Sequence, residues 1–216
     1  MESSLNEHEQ FFTDLTEVFD IYINCGSRSS KKVDLLHNRI KNMINNVINK
    51  INNKEIYKCE LECNIPCCNA SGKKKCDIVI FKNSVPYIIF PVKFIMTNYK
   101  QNKNNAWENV TGELTQIRWA NKEIHIIPIN IIFNQVPYLK TDKKIERFET
   151  ITYENSFKIY EYLKSEKIVF DQMNYIIDVN QKCKIYDFYD KCPELLAFNS
   201  ETPYRTMYEI IHTLIT

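Results

Sequence analysis

The segment IHIIPINIIF, residues 124–133, is apolar at nearly every position. A strand that faces water on one side alternates apolar and polar residues, whereas a strand covered on both sides does not. This segment therefore predicts a central strand of a sheet that carries helices on both faces. An α/β or α+β fold with a mixed central β-sheet flanked by helices is the expected class.

The segments around this strand supply the flanking helices and the neighbouring strands. Apolar residues at three- and four-residue steps predict helices, and short runs rich in β-branched and aromatic residues predict strands. The expected order is helix, helix, strand, strand, strand, helix, strand over residues 4–24, 33–51, 55–63, 76–81, 87–94, 102–120 and 124–133. Further helices are expected at 155–164 and 203–214, with a strand at 174–179.

The composition excludes several classes of protein. No apolar run approaches the ~20 residues that cross a bilayer, and the first 20 residues are too acidic for a signal peptide, so a cytoplasmic location is expected. The net charge of +1 favours no polyanionic partner by itself. The chain has three glycines and neither GxxxxGK[ST] nor GxGxxG, which argues against an enzyme with a nucleotide cofactor.

Five of the eight cysteines lie close together between residues 59 and 76. Without a secretion signal, a disulfide framework is not expected. Their spacing lacks the paired CxxC motifs of most zinc sites, and alternate cysteines of the first strand suit an apolar face. Packing in the core is the favoured interpretation. A structural Zn²⁺ site is the less favoured alternative, on Cys59, Cys63, Cys67, Cys68 and Cys76.

The predicted hairpin in the middle of the chain carries one acid, Asp77, and one lysine, Lys93. A connection that runs through Pro86 pairs Phe81 with Tyr87 and places the acid and the lysine on one face. A two-residue turn before Pro86 would place them on opposite faces, because a slip of one residue turns every side chain over. Proline cannot donate to a ladder, so Pro86 favours the longer connection. A simple ion pair is the alternative to a functional site.

The order of elements in residues 33–133, with Asp77 on the second strand and Lys93 on the third, resembles the core of the PD-(D/E)XK nucleases. This superfamily includes type II restriction endonucleases and many nucleases of DNA repair and mobile elements. The resemblance implies a restriction endonuclease-like core, Mg²⁺ as the cofactor with Mn²⁺ able to replace it, and Lys93 acting on the attacking water. Pro91 stands where the motif has its second acid.

The resemblance also implies where a displaced acid could lie. In some restriction enzymes of this superfamily the acid has moved to the helix after the lysine strand, where this chain has Glu108 and Glu113. These two are offset by ~140° around a helix, so only one of them is expected to reach a metal held with Asp77. Glu108 matches the family's spacing better. Glu60 and Glu62 on the first strand are weaker candidates for outer contacts.

Candidate DNA contacts are basic and amide side chains, which bind phosphates and base edges. They are Arg28, Lys31, Lys32, Asn98, Lys100, Gln101, Asn102 and Lys103. For both segments that contain these residues, 26–32 and 97–105, the alternative is an exposed, solvated loop that does not contact DNA.

The resemblance implies a metal-dependent, sequence-specific endonuclease of double-stranded DNA that acts as a homodimer. Membrane contact is not expected. Residues 1–216 are expected to form a single domain with a core at about 33–133, and residues 4–24 and 140–216 serve packing, DNA binding or dimerisation. Two alternatives stay open. One is a repair or mobile-element nuclease of the same fold, and the other is an inactive relative that binds DNA or protein, to which the missing acid at Pro91 would point.

Overall fold

The order of elements predicted for the first 133 residues is confirmed. The computed structural model describes residues 2–26, 30–51, 56–189 and 193–215. Within them the chain is a mixed α/β protein with five helices. The elements are α1 Glu2–Cys25, α2 Lys31–Lys50, β1 Tyr57–Pro66, β2 Lys73–Lys82, β3 Val85–Phe90, β4 Val92–Ile95, α3 Tyr99–Ala120, β5 His125–Ile126, β6 Ile129–Phe133, β7 Gln135–Leu139, β8 Ile145–Thr150, α4 Tyr153–Ser165, β9 Met173–Asn180, β10 Glu194–Phe198 and α5 Met207–Ile215.

Two predicted strands are each divided in two by a proline. Pro91 separates β3 from β4, and Pro128 lies between β5 and β6. The four-stranded sheet β1-β2-β3-β5 therefore meets the four-stranded sheet β10-β9-β6-β4 at the two breaks. The parallel register is unchanged across them, with Ile89 paired to Ile126 before the break and Val92 to Ile129 after it. As predicted, the 129–133 strand is buried at every position.

The β2–β3 hairpin has a shorter turn than the sequence suggested. Asn83 and Ser84 form a two-residue turn, both with positive φ angles of 50° and 67°, which is the geometry of a type I′ hairpin. Phe81 pairs with Pro86, not with Tyr87. The prediction of a longer connection through Pro86 is therefore wrong.

A β-bulge in β3 compensates for the short turn. Beyond the bulge Ile80 pairs with Ile88, so Tyr87 is the additional residue on its strand. This shifts the pairing back by one residue. The last pair of the two strands is Ile78 with Phe90. One position further along, Asp77 lies opposite Pro91, as it would have done with the longer connection.

The helices cover the sheet, and the buried apolar residues form one cluster with members in every helix. α2 turns a buried stripe toward the sheet that includes Leu36, His37, Ile40 and Ile44. α3 begins at Tyr99, earlier than predicted, because the buried carboxylate of Glu149 on β8 accepts a hydrogen bond from the Lys100 amide at 2.8 Å. An acceptor there suits the positive end of a helix.

The strands β7, β8 and β10 were not predicted. β7 and β8 pair only with each other in a two-stranded sheet, and Pro137 and several charged residues weaken their alternation. No helix in the described ranges is both long and apolar enough to cross a membrane.

Candidate metal centre

Asp77 lies on β2 beside the break that divides β3 from β4. Proline has no N–H, and the break at Pro91 ends the pairing of β3 with β2. The next amide, that of Val92, donates a hydrogen bond of 2.7 Å to Asp77 Oδ2. The side chain of Asp77 thus replaces a strand partner and is fixed in one orientation. Burial raises the pKa of Asp77, and the Val92 amide and the His37 and Lys93 side chains oppose that rise.

Two further ligand side chains meet Asp77 at this position. His37 comes from α2 and is buried, and its Nδ1 lies 3.1 Å from Oε1 of Glu62, which comes from β1. One potential ligand atom from each of His37, Glu62 and Asp77 lies within 4.8 Å of the others. Glu62 is exposed, so the group is open to solvent on one side.

Glu62 has an unusual backbone for a residue inside a strand. Its φ angle is 55°, in the left-handed region, although Leu61 and Cys63 on either side pair normally with β2. This conformation costs a non-glycine residue roughly 1–2 kcal/mol. The register places Glu62 directly across from Asp77. Strain of this kind is concentrated at functional sites, so it supports a functional role for this position.

Lys75 keeps Glu62 in its charged form. Its Nζ lies 2.6 Å from Glu62 Oε2, and this hydrogen bond is the largest of the effects that lower the pKa of Glu62. The Glu62 side chain is about 41% exposed, so its ion pair with Lys75 adds little to the stability of the fold. Its effect is to hold an ionised carboxylate beside His37.

Lys93 lies on β4, two residues after Pro91, with an exposed side chain. Its ammonium group lies close enough to lower the pKa of Asp77. Lys93 belongs to none of the ion pairs found among the described residues. The charge of Lys93 therefore acts on Asp77, and these are the two residues that the sequence singled out.

Glu108 and Glu113 are not brought to Asp77. Glu113 on α3 pairs with Lys74 at 3.0 Å, whereas Glu62 pairs with the next residue, Lys75. Successive residues of a strand point to opposite faces, so Glu113 lies on the face of β2 that is turned away from Glu62. Glu108 is exposed on α3. The acid beside Asp77 is Glu62 from the preceding strand, which corrects the predicted geometry of a metal site completed from α3.

The basic residues around the start of α2, Arg28, Lys31 and Lys32, were predicted to contact DNA. Arg28 lies outside the described residues. Lys31 is exposed at the first position of α2. The ammonium group of Lys32 lies 5.0 Å from the centre of the Tyr22 ring, and burial lowers its pKa.

The predicted contacts at the start of α3 have different environments. Asn98 Oδ1 accepts a hydrogen bond of 2.6 Å from the Leu139 amide, so this oxygen serves the fold. Lys100 is exposed. Lys103 lies over the ring of Trp107, with its Nζ 4.3 Å from the ring centre. Gln101 and Asn102 were also predicted to contact DNA, and their side chains lie outside the described part of the structure.

The five clustered cysteines are free thiols. Cys59, Cys67 and Cys76 are buried, Cys63 is half-buried and Cys68 is exposed. Among the described residues, no cysteine belongs to the group of potential metal ligands. Outside the cluster Cys25 is free and exposed, and Cys183 is disulfide-bonded, although no disulfide framework was expected.

These environments predict an order of thiol reactivity. Burial raises the pKa of Cys59 and of Cys76 to about 12, and the thiolate is the reactive form. We expect a disulfide reagent at pH 8 to modify the exposed Cys25 and Cys68 quickly, and Cys59 and Cys76 only on unfolding. Peptide mapping by mass spectrometry identifies the modified residues. Protection of Cys68 that a chelator removes would instead favour the zinc alternative.

His37 is the functional candidate that the sequence reasoning missed. Its signal was available, because it interrupts an otherwise apolar stripe of α2 with a titratable ring. Glu62 was named only for outer contacts. Its position across from Asp77 follows from the pairing of β1 with β2, which the sequence did not fix.

The group fits a divalent cation. One imidazole nitrogen and two carboxylates form a mixed set of ligands, and one open side leaves room for water or a phosphate oxygen. Carboxylates suit Mg²⁺ and Mn²⁺, whereas imidazole favours transition metals, so the set as a whole suits Mn²⁺ better than Mg²⁺.

Comparison with known proteins identifies no relative. A scan against protein-family models, a search of curated proteins and a search of solved structures each return no match.

Proposed function

We propose that this chain is a divalent-metal-dependent endonuclease that hydrolyses phosphodiester bonds of double-stranded DNA. The observation that carries the proposal is the convergence of His37, Glu62 and Asp77 from three different elements beside Lys93, at a break in the sheet. The order helix, three strands, helix, strand around this group is also that of the PD-(D/E)XK core. We therefore propose a restriction endonuclease-like core for residues 31–133.

Each residue of the group has a role in this proposal. His37, Glu62 and Asp77 would hold the metal, which supplies positive charge at the phosphate and makes a bound water more acidic. The Val92 amide and the Lys75 ammonium hold Asp77 and Glu62 in their orientations. Lys93 orients the attacking water and offsets the negative charge that develops on the phosphate.

The substrate and the assembly are proposed on the resemblance. Restriction-like enzymes commonly use two copies of one site to cut both strands, and on that basis we propose a homodimer and sequence-specific cleavage. Among the candidate DNA contacts whose side chains are described, Lys31 and Lys100 are exposed, and we propose that they contact the DNA backbone. A repair or mobile-element nuclease with the same core would use the same metal group.

Cleavage of supercoiled plasmid DNA tests the proposal. We expect nicked and linear products with Mn²⁺ or Mg²⁺ and none with a chelator. Glu62→Gln should lose this activity, whereas Glu60→Gln, two residues earlier in β1, should retain it. A protein that binds DNA but cleaves no DNA with either metal would be the inactive relative instead.

Metal binding can be measured separately from cleavage. A ligand that binds only the folded state stabilises it by RT ln(1 + [L]/Kd), about 2.7 kcal/mol at 100 times Kd. We expect Mn²⁺ to raise the melting temperature more than Mg²⁺ at equal concentration, and His37→Gln to reduce the Mn²⁺ effect more than the Mg²⁺ effect. Equal responses to both metals in the wild type and in His37→Gln would exclude His37 as a ligand.

A further inference from the structure

A cavity of about 330 Å³ is lined in part by Lys93 and the residues that follow it on β4. It lies among β4, β6, α3 and α4. Ligand pockets in proteins start at about 300 Å³ and are mostly apolar with a few fixed polar groups. This cavity has the size and the character of a site for one small molecule or one residue of a polymer.

Aromatic rings form much of the wall. Tyr99 and Trp107 come from α3, and Phe157 and Tyr160 come from α4. Trp107 is only half-buried, whereas Tyr99, Phe157 and Tyr160 are buried. Flat rings of this kind stack on any nucleobase, because every base has a π face.

The charges around the cavity are of one sign. Among the described residues that line it are three lysines, Lys32, Lys93 and Lys103, and no carboxylate. Lys103 makes no ion pair with a described residue and lies over the Trp107 ring. Burial lowers the pKa of Lys32 and of Lys103, and Lys100 lowers that of Lys103 further. The positive charge of these lysines favours an anionic ligand in the cavity.

A buried amide supplies a polar group in the wall. Asn130 on β6 is 4% exposed, and its Nδ2 donates a hydrogen bond of 2.8 Å to Asn174 Oδ1. The amide is therefore fixed by its neighbour. The buried ring of Tyr160 lines the same cavity. Asparagine is a common partner for the edge of a base.

We propose that this cavity binds one nucleotide of the substrate, with its base extruded from the duplex, stacked in the aromatic wall, and its phosphate at Lys93 and Lys103. The inference rests on the proposed function, because Lys93 joins the cavity to the metal group and would place the bound phosphate near the site of cleavage. Extrusion requires the base to unstack and unpair, which is least costly at a mismatched or unpaired base. Cleavage is then expected to be faster at such positions.

Tryptophan fluorescence tests binding without requiring cleavage. The chain has two tryptophans, and Trp119 is 63% exposed and does not line the cavity. In a Trp119→Phe variant, Trp107 is the single reporter. We expect saturable quenching by deoxynucleoside monophosphates at millimolar concentration, weaker quenching by deoxynucleosides, and none by inorganic phosphate. Lys103→Ala should weaken the binding of the monophosphates about tenfold and leave that of the nucleosides unchanged. Lack of quenching by all four monophosphates would overturn the proposal.

A duplex that carries 2-aminopurine tests extrusion. With Ca²⁺ in place of Mn²⁺, we expect 2-aminopurine emission to rise on binding at the position next to the cut, in the wild type and in Trp119→Ala, but not in Trp107→Ala. An unchanged emission at every position of a bound duplex would contradict extrusion. Cleavage without Trp107 quenching would overturn this inference alone, whereas quenching without cleavage would overturn the proposed function alone.

Discussion

Asp77→Asn is expected to lower metal-dependent DNA cleavage by at least about a thousandfold while the free energy of unfolding, measured without metal, stays the same or increases. Removing the charge deprives the metal group of one of its two carboxylates. The amide oxygen of asparagine can still accept the hydrogen bond from the Val92 amide, so the connection between β2 and β4 is kept.

The effect on stability follows from the direction of the pKa shift. Burial raises the pKa of Asp77, so the charged form is less favourable in the folded chain than in the unfolded chain. Stability therefore falls as the pH rises through the unfolded and then the folded pKa of this group, and at neutral pH the charge destabilises the fold. An uncharged side chain of the same shape removes that cost.

Urea unfolding and plasmid cleavage, measured on the same preparation, check this prediction. Glu113→Gln is the matched control, because Glu113 pairs with the half-exposed Lys74 on the other face of β2. We expect its stability to change by no more than about 1 kcal/mol and its activity by less than twofold. A large loss of stability in Asp77→Asn would show that Asp77 serves the fold. Loss of activity in Glu113→Gln or in Glu108→Gln would show that an acid of α3 does belong to the metal site.

Lys93→Ala is expected to lower the cleavage rate by about 10²–10³-fold without weakening Mn²⁺ binding. Lys93 is not a ligand of the metal group, and its charge acts on Asp77 and on whatever occupies the open side. Removing a cation from the neighbourhood of a metal site leaves the affinity for the metal unchanged or somewhat higher. The separation of rate from metal affinity is the signature of a residue that stabilises the transition state.

Single-turnover cleavage and Mn²⁺ titration measure the two quantities independently. Lys100→Ala removes an exposed lysine at the start of α3 and serves as the control for a general loss of positive charge. It should weaken DNA binding with little effect on the rate of the bound complex. Equal losses of rate in Lys93→Ala and Lys100→Ala would show that Lys93 only contacts DNA. Loss of Mn²⁺ binding in Lys93→Ala would show that Lys93 is needed for the geometry of the metal group.

The general fold was predictable because its strongest signals are local. The unbroken apolar character of residues 124–133 and the apolar periodicity of α1 and α2 each lie within a short window. The positions of Asp77 and Lys93 on consecutive predicted strands followed from similarly short apolar windows around these two residues. The small sheet of β7 and β8 was missed because Pro137 and the charged residues of β8 interrupt the alternation of apolar and polar residues that predicts a strand.

The site was only half predictable, since its ligands come from elements far apart in the chain. Glu62 faces Asp77 through a hairpin whose connection, residues 67–72, is rich in turn-forming residues but does not by itself determine the register of the two strands. His37 reaches the group through the packing of α2 on the sheet. Glu113 lies at a distance along the chain that suits a displaced acid. Its environment depends on which face of β2 is covered by α3. The spacing of a sequence motif does not show which face of a sheet a helix covers.

The bulge at Tyr87 has a consequence for how this site could vary among descendants of the chain. A three-residue turn without a bulge and a two-residue turn with one bring Asp77 to the same place opposite Pro91, and both keep the same number of residues between Asp77 and Lys93. Substitutions at residues 82–87 can therefore exchange one arrangement for the other without an insertion or a deletion. The tip of the hairpin is free to drift, while the interval from Asp77 to Lys93 is under constraint.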